Sequence, residues 1–204
     1  MSSVRKQVAT VALVSAAAIG VYALGPAGAS SADCSGGTGG TTVCSSSSGH
    51  YVNPFHRRKW ISGRIDMGVD WMPKRRHAVV AIGDAKIKGS DSHSGWPGGH
   101  YIYYKLLNGD HAGNFVYVAE TLRHLAPAGT RVQAGQRIAT ALPRATGLEI
   151  GWANRSGDPR AAPCYSEGEK TNSGKQMARF LRHLGARIID RPGPGPDEPS
   201  GKRC

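Results

Sequence analysis

Two aspartates, Asp66 and Asp70, lie four residues apart in the segment Asp-Met-Gly-Val-Asp-Trp at 66–71. In one continuous β-strand alternate side chains share a face, so both carboxylates would point the same way and the apolar residues would point into a core. Gly68 between them would leave open space above the sheet. Like charges this close need a cation, a proton or water. The pair therefore indicates acid–base chemistry or metal binding, with two solvated acids on a polar strand face as the alternative.

The elements that would position these acids are predicted to be short strands. Gly, Asn and Asp residues separate runs rich in β-branched and aromatic residues, which is typical of antiparallel all-β folds. The runs are Ile61–Trp71, His77–Ile82, Ala85–Ile87, Tyr101–Leu106, Phe115–Ala119, Arg131–Val132, Arg137–Thr140 and Gly147–Trp152. A Gly- and Ser-containing loop, Gly89–Gly99, is expected to form a rim over the sheet.

One segment, 171–184, shows helical rather than strand periodicity. Ser173 with Gln176 three residues later predicts a capping box, and Gly185 predicts the end of the helix. The apolar positions are Met177, Phe180, Leu181 and Leu184. This pattern predicts one C-terminal amphipathic helix that packs on the sheet, in preference to a helix that binds a partner.

The N-terminal residues 1–29 resemble a secretory signal peptide. Arg5 and Lys6 precede an apolar run, Val8–Leu24, and small residues at 27–29 form a cleavage pattern. The run is short for a membrane span, so we expect cleavage and no transmembrane segment afterwards; a lipid anchor on Cys34 is the alternative. The mature protein is therefore expected to be secreted, extracellular and associated with the cell wall.

The remaining organisation follows from composition. Residues 30–50 are rich in Ser and Gly and predict a tether, and residues 191–204 form a Pro/Gly-rich tail. The folded domain is then expected over residues 51–190. The four cysteines of an exported chain predict two disulfides, and of the three possible pairings Cys34–Cys44 with Cys164–Cys204 is preferred.

The chain is strongly basic. Its formal net charge is +12, of which the predicted signal peptide carries two positive charges, leaving +10 on the mature chain, and its isoelectric point is about 9.9. A charge of this sign favours polyanionic partners. For an exported protein these are peptidoglycan, another anionic cell-wall polymer or phospholipid head groups, and not nucleic acid.

Five segments occur in an order shared with one known family. They are Asp66–Asp70, Val79–Asp84, Gly99–Tyr104, Arg131–Ala139 and Gly147–Trp152. Together they resemble the lysostaphin-type peptidoglycan metalloendopeptidases, which carry His-x-Gly-x-Asp, Tyr-x-His-Leu, Val-x-x-Gly-Gln and His-x-His motifs. The resemblance covers about residues 51–153. It implies an antiparallel barrel-sandwich hybrid, of the duplicated hybrid motif type, and peptidoglycan as the substrate class.

The resemblance also implies a degenerate zinc site. Asp66 stands where the family has its first zinc-binding histidine, Asp70 keeps the aspartate, and Glu149 replaces the last histidine ligand. Counting back from the Gly-Gln hairpin places Glu120 at an assisting histidine. Zinc prefers nitrogen and sulfur ligands, so we expect no cofactor, or a hard divalent cation such as Ca²⁺, Mg²⁺ or Mn²⁺ held by Asp66, Asp70 and Glu149.

An acidic cluster in a groove that binds sugar polymers suits glycoside hydrolysis, in which one carboxylic acid donates a proton and a second carboxylate activates water or attacks carbon. Glu149 is the expected acid, and Asp66 or Asp70 the nucleophile or base, with Glu120 in the same cluster. Three further residues are expected to bind substrate. They are Trp96, His100 and Tyr103.

Two alternatives remain open, namely a wall-binding module that has lost the zinc site and an amidohydrolase that uses another metal. Geometry distinguishes them. Carboxyl groups about 5–5.5 or 6.5–9.5 Å apart across a groove fit a glycosidase. Oxygens about 2.3–2.6 Å from one point fit a calcium-like ion. Acids paired with Arg64 and Arg144 fit a binding module.

Overall fold

The computed structural model describes residues 51–55, 60–143 and 147–191. The predicted signal peptide, the tether and nearly all of the tail lie outside the described residues. The same holds for Cys34, Cys44, Cys204, the side chain of Cys164, and Arg144. Among the described residues, no helix combines the length and apolarity needed to cross a membrane.

In the part of the chain that the structure describes, ten strands form two open antiparallel sheets. They are β1 (Trp60–Ile65), β2 (Val69–Pro73), β3 (His77–Val80), β4 (Ala85–Asp91), β5 (His100–Leu106), β6 (Phe115–Glu120), β7 (Leu122–Arg123), β8 (Arg131–Val132), β9 (Arg137–Ala141) and β10 (Leu148–Ala153). The larger sheet has the order β1-β2-β10-β6-β5-β4-β8, and the smaller has the order β3-β9-β7. Within residues 51–55, 60–143 and 147–191, the prediction of an all-β fold with a single C-terminal α-helix is confirmed, and the sheets do not close into a barrel.

The larger sheet has two chemically different faces. In β6, Val116 and Val118 belong to the main hydrophobic core, which the smaller sheet and the helix also help to form. Tyr117 and Ala119 alternate with them and belong to a second, smaller cluster on the opposite face. This second face carries tyrosines along β5 and β6 and reaches the acids at one end, so it is the face that positions the site.

The segment 61–71 is two strands rather than the single strand predicted from the sequence. Ile65 pairs with Val69, and Asp66 lies in the bend that joins β1 to β2. Met67, expected in the core, is half-buried and lines a pocket. Gly68 does not leave open space either, because a Cβ there would lie 2.4 Å from the carbonyl oxygen of Ile150.

The predicted helix is present as α1, Asn172–His183. Its N-cap is Thr171, whose hydroxyl accepts a hydrogen bond from the Gly174 N–H, so the capping box expected between Ser173 and Gln176 is wrong. The apolar side of α1 is buried on the larger sheet.

Candidate functional site

Three carboxylates converge at one end of the larger sheet. Glu149 on β10 is the cross-strand partner of Asp70 on β2, and cross-strand partners share a face. Asp66 joins them from the β1–β2 bend. One oxygen of each residue lies within 4.8 Å of the others. The structure thus brings together the three acids that the sequence analysis grouped.

The start of α1 fixes the backbone of Asp66. The Thr171 N–H and hydroxyl both donate to the Asp66 carbonyl oxygen, at 3.1 and 2.7 Å. The Asp66 side chain is only 1% exposed. Asp66 is therefore held by the N-cap of a helix that begins more than 100 residues later in the chain, a contact of high sequence separation.

A β-bulge aims Arg64 at the acids. Ser62 pairs with Trp71 and Ile65 pairs with Val69, so residues 63 and 64 together oppose Asp70.

From this position the Arg64 Nε lies 2.9 Å from Asp66 Oδ2 and 3.2 Å from Asp70 Oδ2, and its Nη2 lies 2.8 Å from Glu167 Oε1. Burial opposes the charge, but the carboxylates, Asp66 first, outweigh it and raise the pKa of Arg64. The acidic cluster therefore contains its own counter-ion.

Glu149 is also a buried acid, with 3% exposure. Its Oε1 accepts a hydrogen bond from the Tyr117 hydroxyl, and its carboxyl group is hydrogen-bonded to Asp66. Burial, followed by the negative charges of Asp66 and Asp70, raises the pKa of Glu149 well above its ordinary value. The shift favours the protonated form of Glu149, in which its O–H donates the hydrogen bond to Asp66.

Glycine makes the contact between Tyr117 and Glu149 possible. Gly151 on β10 is the cross-strand partner of Tyr117, and a Cβ at Gly151 would lie 2.5–2.6 Å from the tyrosine ring. The ring can therefore lie across β10 towards Glu149 only because residue 151 has no side chain.

Asp70 differs from Glu149 because its side chain is partly exposed. Burial and the neighbouring Asp66 charge raise the pKa of Asp70 to about 7, although Arg64 acts in the opposite direction. Asp70 is thus about half protonated near neutral pH.

Glu120 occupies an unusual position at the end of β6. Strand alternation would place its side chain on the core face with Val118, but its backbone has a positive φ of 84°. At this residue the chain leaves the larger sheet for β7 in the smaller one. The side chain is 8% exposed, and its Oε2 has no hydrogen-bond partner among the described residues. Burial, followed by the charges of Asp70 and Asp66, raises the pKa of Glu120 to about 8.

A pocket of about 410 Å³ opens over these acids. Its lining residues are Arg64, Asp66, Met67, Gly95, Trp96, Pro97, Glu120, Glu149, Tyr165 and Glu167. The loop 92–99 contributes Trp96, which packs against Tyr101 and Tyr117 at 6.0 and 5.6 Å between ring centroids. Tyr165 donates a hydrogen bond of 3.4 Å to Asp66 Oδ2. The pocket therefore has an acidic floor and an aromatic rim.

Two residues expected to bind substrate do not line this pocket. His100 is the cross-strand partner of Glu120, but its ring contacts Arg123, whose Nη1 lies 2.8 Å from His100 Nε2. Tyr103 packs between Tyr101 and Phe115 farther along the sheet. Trp96 is the one of the three that lines the pocket.

The donor set does not fit zinc. Every candidate ligand in the cluster is a carboxylate, whereas zinc sites in proteins are built mainly from imidazole and thiolate groups. The Arg64 guanidinium also places a positive charge against the carboxylates of Asp66 and Asp70, two of the three groups that would have to hold a cation. A zinc-dependent reaction therefore does not fit this cluster.

Sequence reasoning found the acids but not most of the groups that hold them. It considered Arg64 only as a partner of the acids. It missed Tyr117, Tyr165 and Glu167. Tyr117 lies on the same strand as Ala119, and this strand leads to Glu120, so its position in the sequence could have marked it as a neighbour of the site. Tyr165 and Glu167 lie in an irregular segment with no motif.

No protein-family model and no curated protein sequence matches this chain. Among solved structures, it is similar to the solution NMR structure of lysostaphin, with 17% identity and a TM-score of 0.44 over 72% of this chain and 60% of that one. It is also similar to the antimicrobial peptidase lysostaphin from Staphylococcus simulans, with 18% identity and a TM-score of 0.44 over 68% of this chain and 55% of that one. The chain thus spans less than two thirds of either structure, and neither similarity shows membership of a family.

Proposed function

We propose that this protein is an exported hydrolase that cleaves glycosidic bonds of peptidoglycan by carboxylate chemistry, without zinc. The observation that carries the proposal is Glu120, a buried carboxylic acid with an unpartnered oxygen on the wall of an open pocket.

Several unfavourable features coincide at Glu120. A positive φ is costly for a residue with a side chain, and burial of a carboxyl group with an unpartnered oxygen costs further free energy. Its pKa of about 8 keeps it protonated at neutral pH. Features of this kind cluster at sites where a proton must be held ready for transfer, so Glu120 is assigned as the general acid.

The second carboxylate comes from the cluster. Asp66, Asp70 and Glu149 have oxygens within 4.8 Å of each other, which is closer than the separation of about 6.5–9.5 Å that leaves room for an attacking water between two carboxyl groups, and Arg64 pairs with two of them. Asp66 lines the pocket and is ion-paired with Arg64, which makes it the candidate base or nucleophile.

In this mechanism Glu120 donates its proton to the leaving glycosidic oxygen as the bond to the anomeric carbon breaks. Asp66 either takes a proton from the attacking water or forms the bond to carbon itself; in the second case the Glu120 carboxylate takes a proton from a water that then hydrolyses the ester on Asp66. Arg64 and Glu149 orient the Asp66 carboxylate through the ion pair and the hydrogen bond described above. The role of general acid thus moves from Glu149, which the sequence analysis favoured, to Glu120.

Trp96 on the rim offers an aromatic surface on which a sugar ring can stack. The substrate class itself rests on the sequence resemblance, the predicted export and the basic net charge of +12. These features favour an anionic wall polymer.

A wall-binding module is the second candidate. The ion pairs of Arg64 with Asp66 and Asp70 favour it, because acids neutralised within the protein are less available for chemistry. Under this alternative the pocket binds the polymer without cleaving it, and Glu120 is not a proton donor.

Digestion of purified peptidoglycan separates the candidates. The wild-type protein and Glu120→Gln are compared, with Asp91→Asn as a control because Asp91 is an exposed carboxylate outside the pocket lining. New reducing ends that form in the presence of chelator, with the control but not with Glu120→Gln, support the glycosidase. New free amines indicate a peptidase or amidase instead. Pelleting on the wall without either product supports the binding module.

A further inference from the structure

A second cavity, of about 610 Å³, lies between α1, β10 and the turn that follows β5, and it shares no lining residue with the acidic pocket. Helix α1 contributes Gln176, Arg179 and His183, which recur at helical spacing and so lie on one face. The volume is in the range of small-molecule sites.

The walls of this cavity are aromatic. The Phe180 ring lies 4.3 Å from the His111 ring, 5.4 Å from Trp152 and 5.4 Å from Tyr51, measured between centroids. His111 in turn lies 5.3 Å from Trp152. Burial lowers the pKa of His111, so this ring is neutral at neutral pH and adds a flat surface rather than a charge. Four rings from four parts of the chain thus meet in one cluster.

A guanidinium group is held against this cluster. The Arg160 Cζ lies 5.5 Å from the centre of the Trp152 ring. Its Nη2 donates to Asn114 Oδ1 at 3.0 Å, and its Nε donates to the Ala153 carbonyl oxygen at 3.2 Å. Both hydrogen-bond acceptors are neutral, so they orient the guanidinium without neutralising it.

The charges around the cavity are not balanced. Arg160 and Arg179 line it, and within the described parts of the chain neither forms an ion pair. Among the described residues of the lining, Asp110 is the one carboxylate, and His183 contributes an imidazole. Cations beside an aromatic wall are suited to an anion that carries a flat apolar group.

We propose that this cavity is a binding site for a small organic anion, in which a carboxylate or phosphate contacts Arg160 and Arg179 and an attached ring lies against the aromatic cluster. The two anionic groups share the chemistry that guanidinium recognises. The site is separate from the acidic pocket and does not depend on the hydrolase proposal.

The test is a titration followed by protein-observed NMR, with 2-naphthoate, 2-naphthyl phosphate and the neutral 2-naphthamide as probes. The variants are Arg160→Gln and Arg179→Gln, with Arg131→Gln as a matched control, since Arg131 is exposed on β8 and outside this cavity. Arg179 is exposed on α1, so its replacement leaves the fold intact even if Arg160→Gln disturbs it.

We expect at least one anion to shift the amide signals of residues 110–111 and 176–184, and to bind at least about tenfold more tightly than the amide. Each cavity variant should weaken this binding by about tenfold, which is the scale of one lost charge-assisted hydrogen bond. The control and Glu120→Gln should bind as the wild type does. Equal affinity for the neutral probe, full binding by Arg179→Gln, or no binding of either anion up to about 10 mM would overturn the proposal.

Discussion

Replacement of Glu120 by glutamine should remove part of the pH dependence of stability. Glutamine keeps the shape of the protonated acid but cannot ionise. In the unfolded chain a glutamate ionises near pH 4.5, whereas in the folded protein Glu120 holds its proton up to about pH 8. The folded state therefore binds more protons between these values, and the wild type loses stability as the pH rises from about 4.5 to about 8.

The size of this loss follows from the same two values. A rise in pKa from 4.5 to about 8 corresponds to an upper limit of about 5 kcal/mol. Asp70 and Asp66 contribute to the rise, and their side chains can relax when Glu120 ionises, so we expect about 2–4 kcal/mol. At pH 5 Glu120→Gln should be more stable than the wild type by less than about 1 kcal/mol, and at pH 9 by about 2–4 kcal/mol.

Urea unfolding followed by tryptophan fluorescence at pH 5, 7 and 9 measures the difference. Asp91→Asn serves as the control, and its free energy of unfolding should stay within about 0.5 kcal/mol of the wild type at each pH. Asp70 and Glu149 are present in both proteins, so the difference between the two reports the ionisation of Glu120 together with its coupling to the neighbouring acids. Parallel pH dependences for the wild type and Glu120→Gln would refute the assignment of a protonated acid at this position.

Three further results are expected. Arg64→Gln should lower the free energy of unfolding by about 2–4 kcal/mol at pH 8, because it leaves Asp66 and Asp70 without their counter-ion. The loss should be smaller at pH 5, where Asp70 is protonated, and an equal loss at both pH values would contradict this explanation. Gly151→Ala should destabilise the protein by about 1–3 kcal/mol, since the new Cβ displaces the Tyr117 ring, and unchanged unfolding in urea would argue against the close packing. Release of reducing ends from peptidoglycan should fall as the pH rises through about 8, where Glu120 loses its proton, and a rate that keeps rising to pH 10 would exclude it as the acid.

Most strands could be predicted because local chemistry marks them. Turn residues bound β5 and β6 on both sides, and apolar periodicity marks α1. The error at 61–71 has a physical reason. The period of two continues through Asp66 and Gly68, yet the chain reverses there and is stabilised by Thr171, a contact that no local pattern encodes.

The acids of the site were accessible from the sequence, whereas their roles were not. Asp66, Asp70 and Glu149 were grouped by the order of the motifs, and the structure places them together. The difference between Glu149 and Glu120 depends on burial, on a positive φ and on which oxygen has a partner, all of which arise only after folding. Arg64 reaches the aspartates through a bulge, and bulge positions are weakly marked in sequence.

The most direct test of the central claim is a titration of the glutamate side-chain carboxyl carbons by ¹³C NMR, in the wild type and in Glu120→Gln. We expect one carboxyl signal of the wild type to titrate with a midpoint of about 8 and to be absent from the variant. If the glutamate signal that is absent from Glu120→Gln titrates near the ordinary value of 4.5 in the wild type, Glu120 is not a proton donor at neutral pH and the proposed mechanism is wrong.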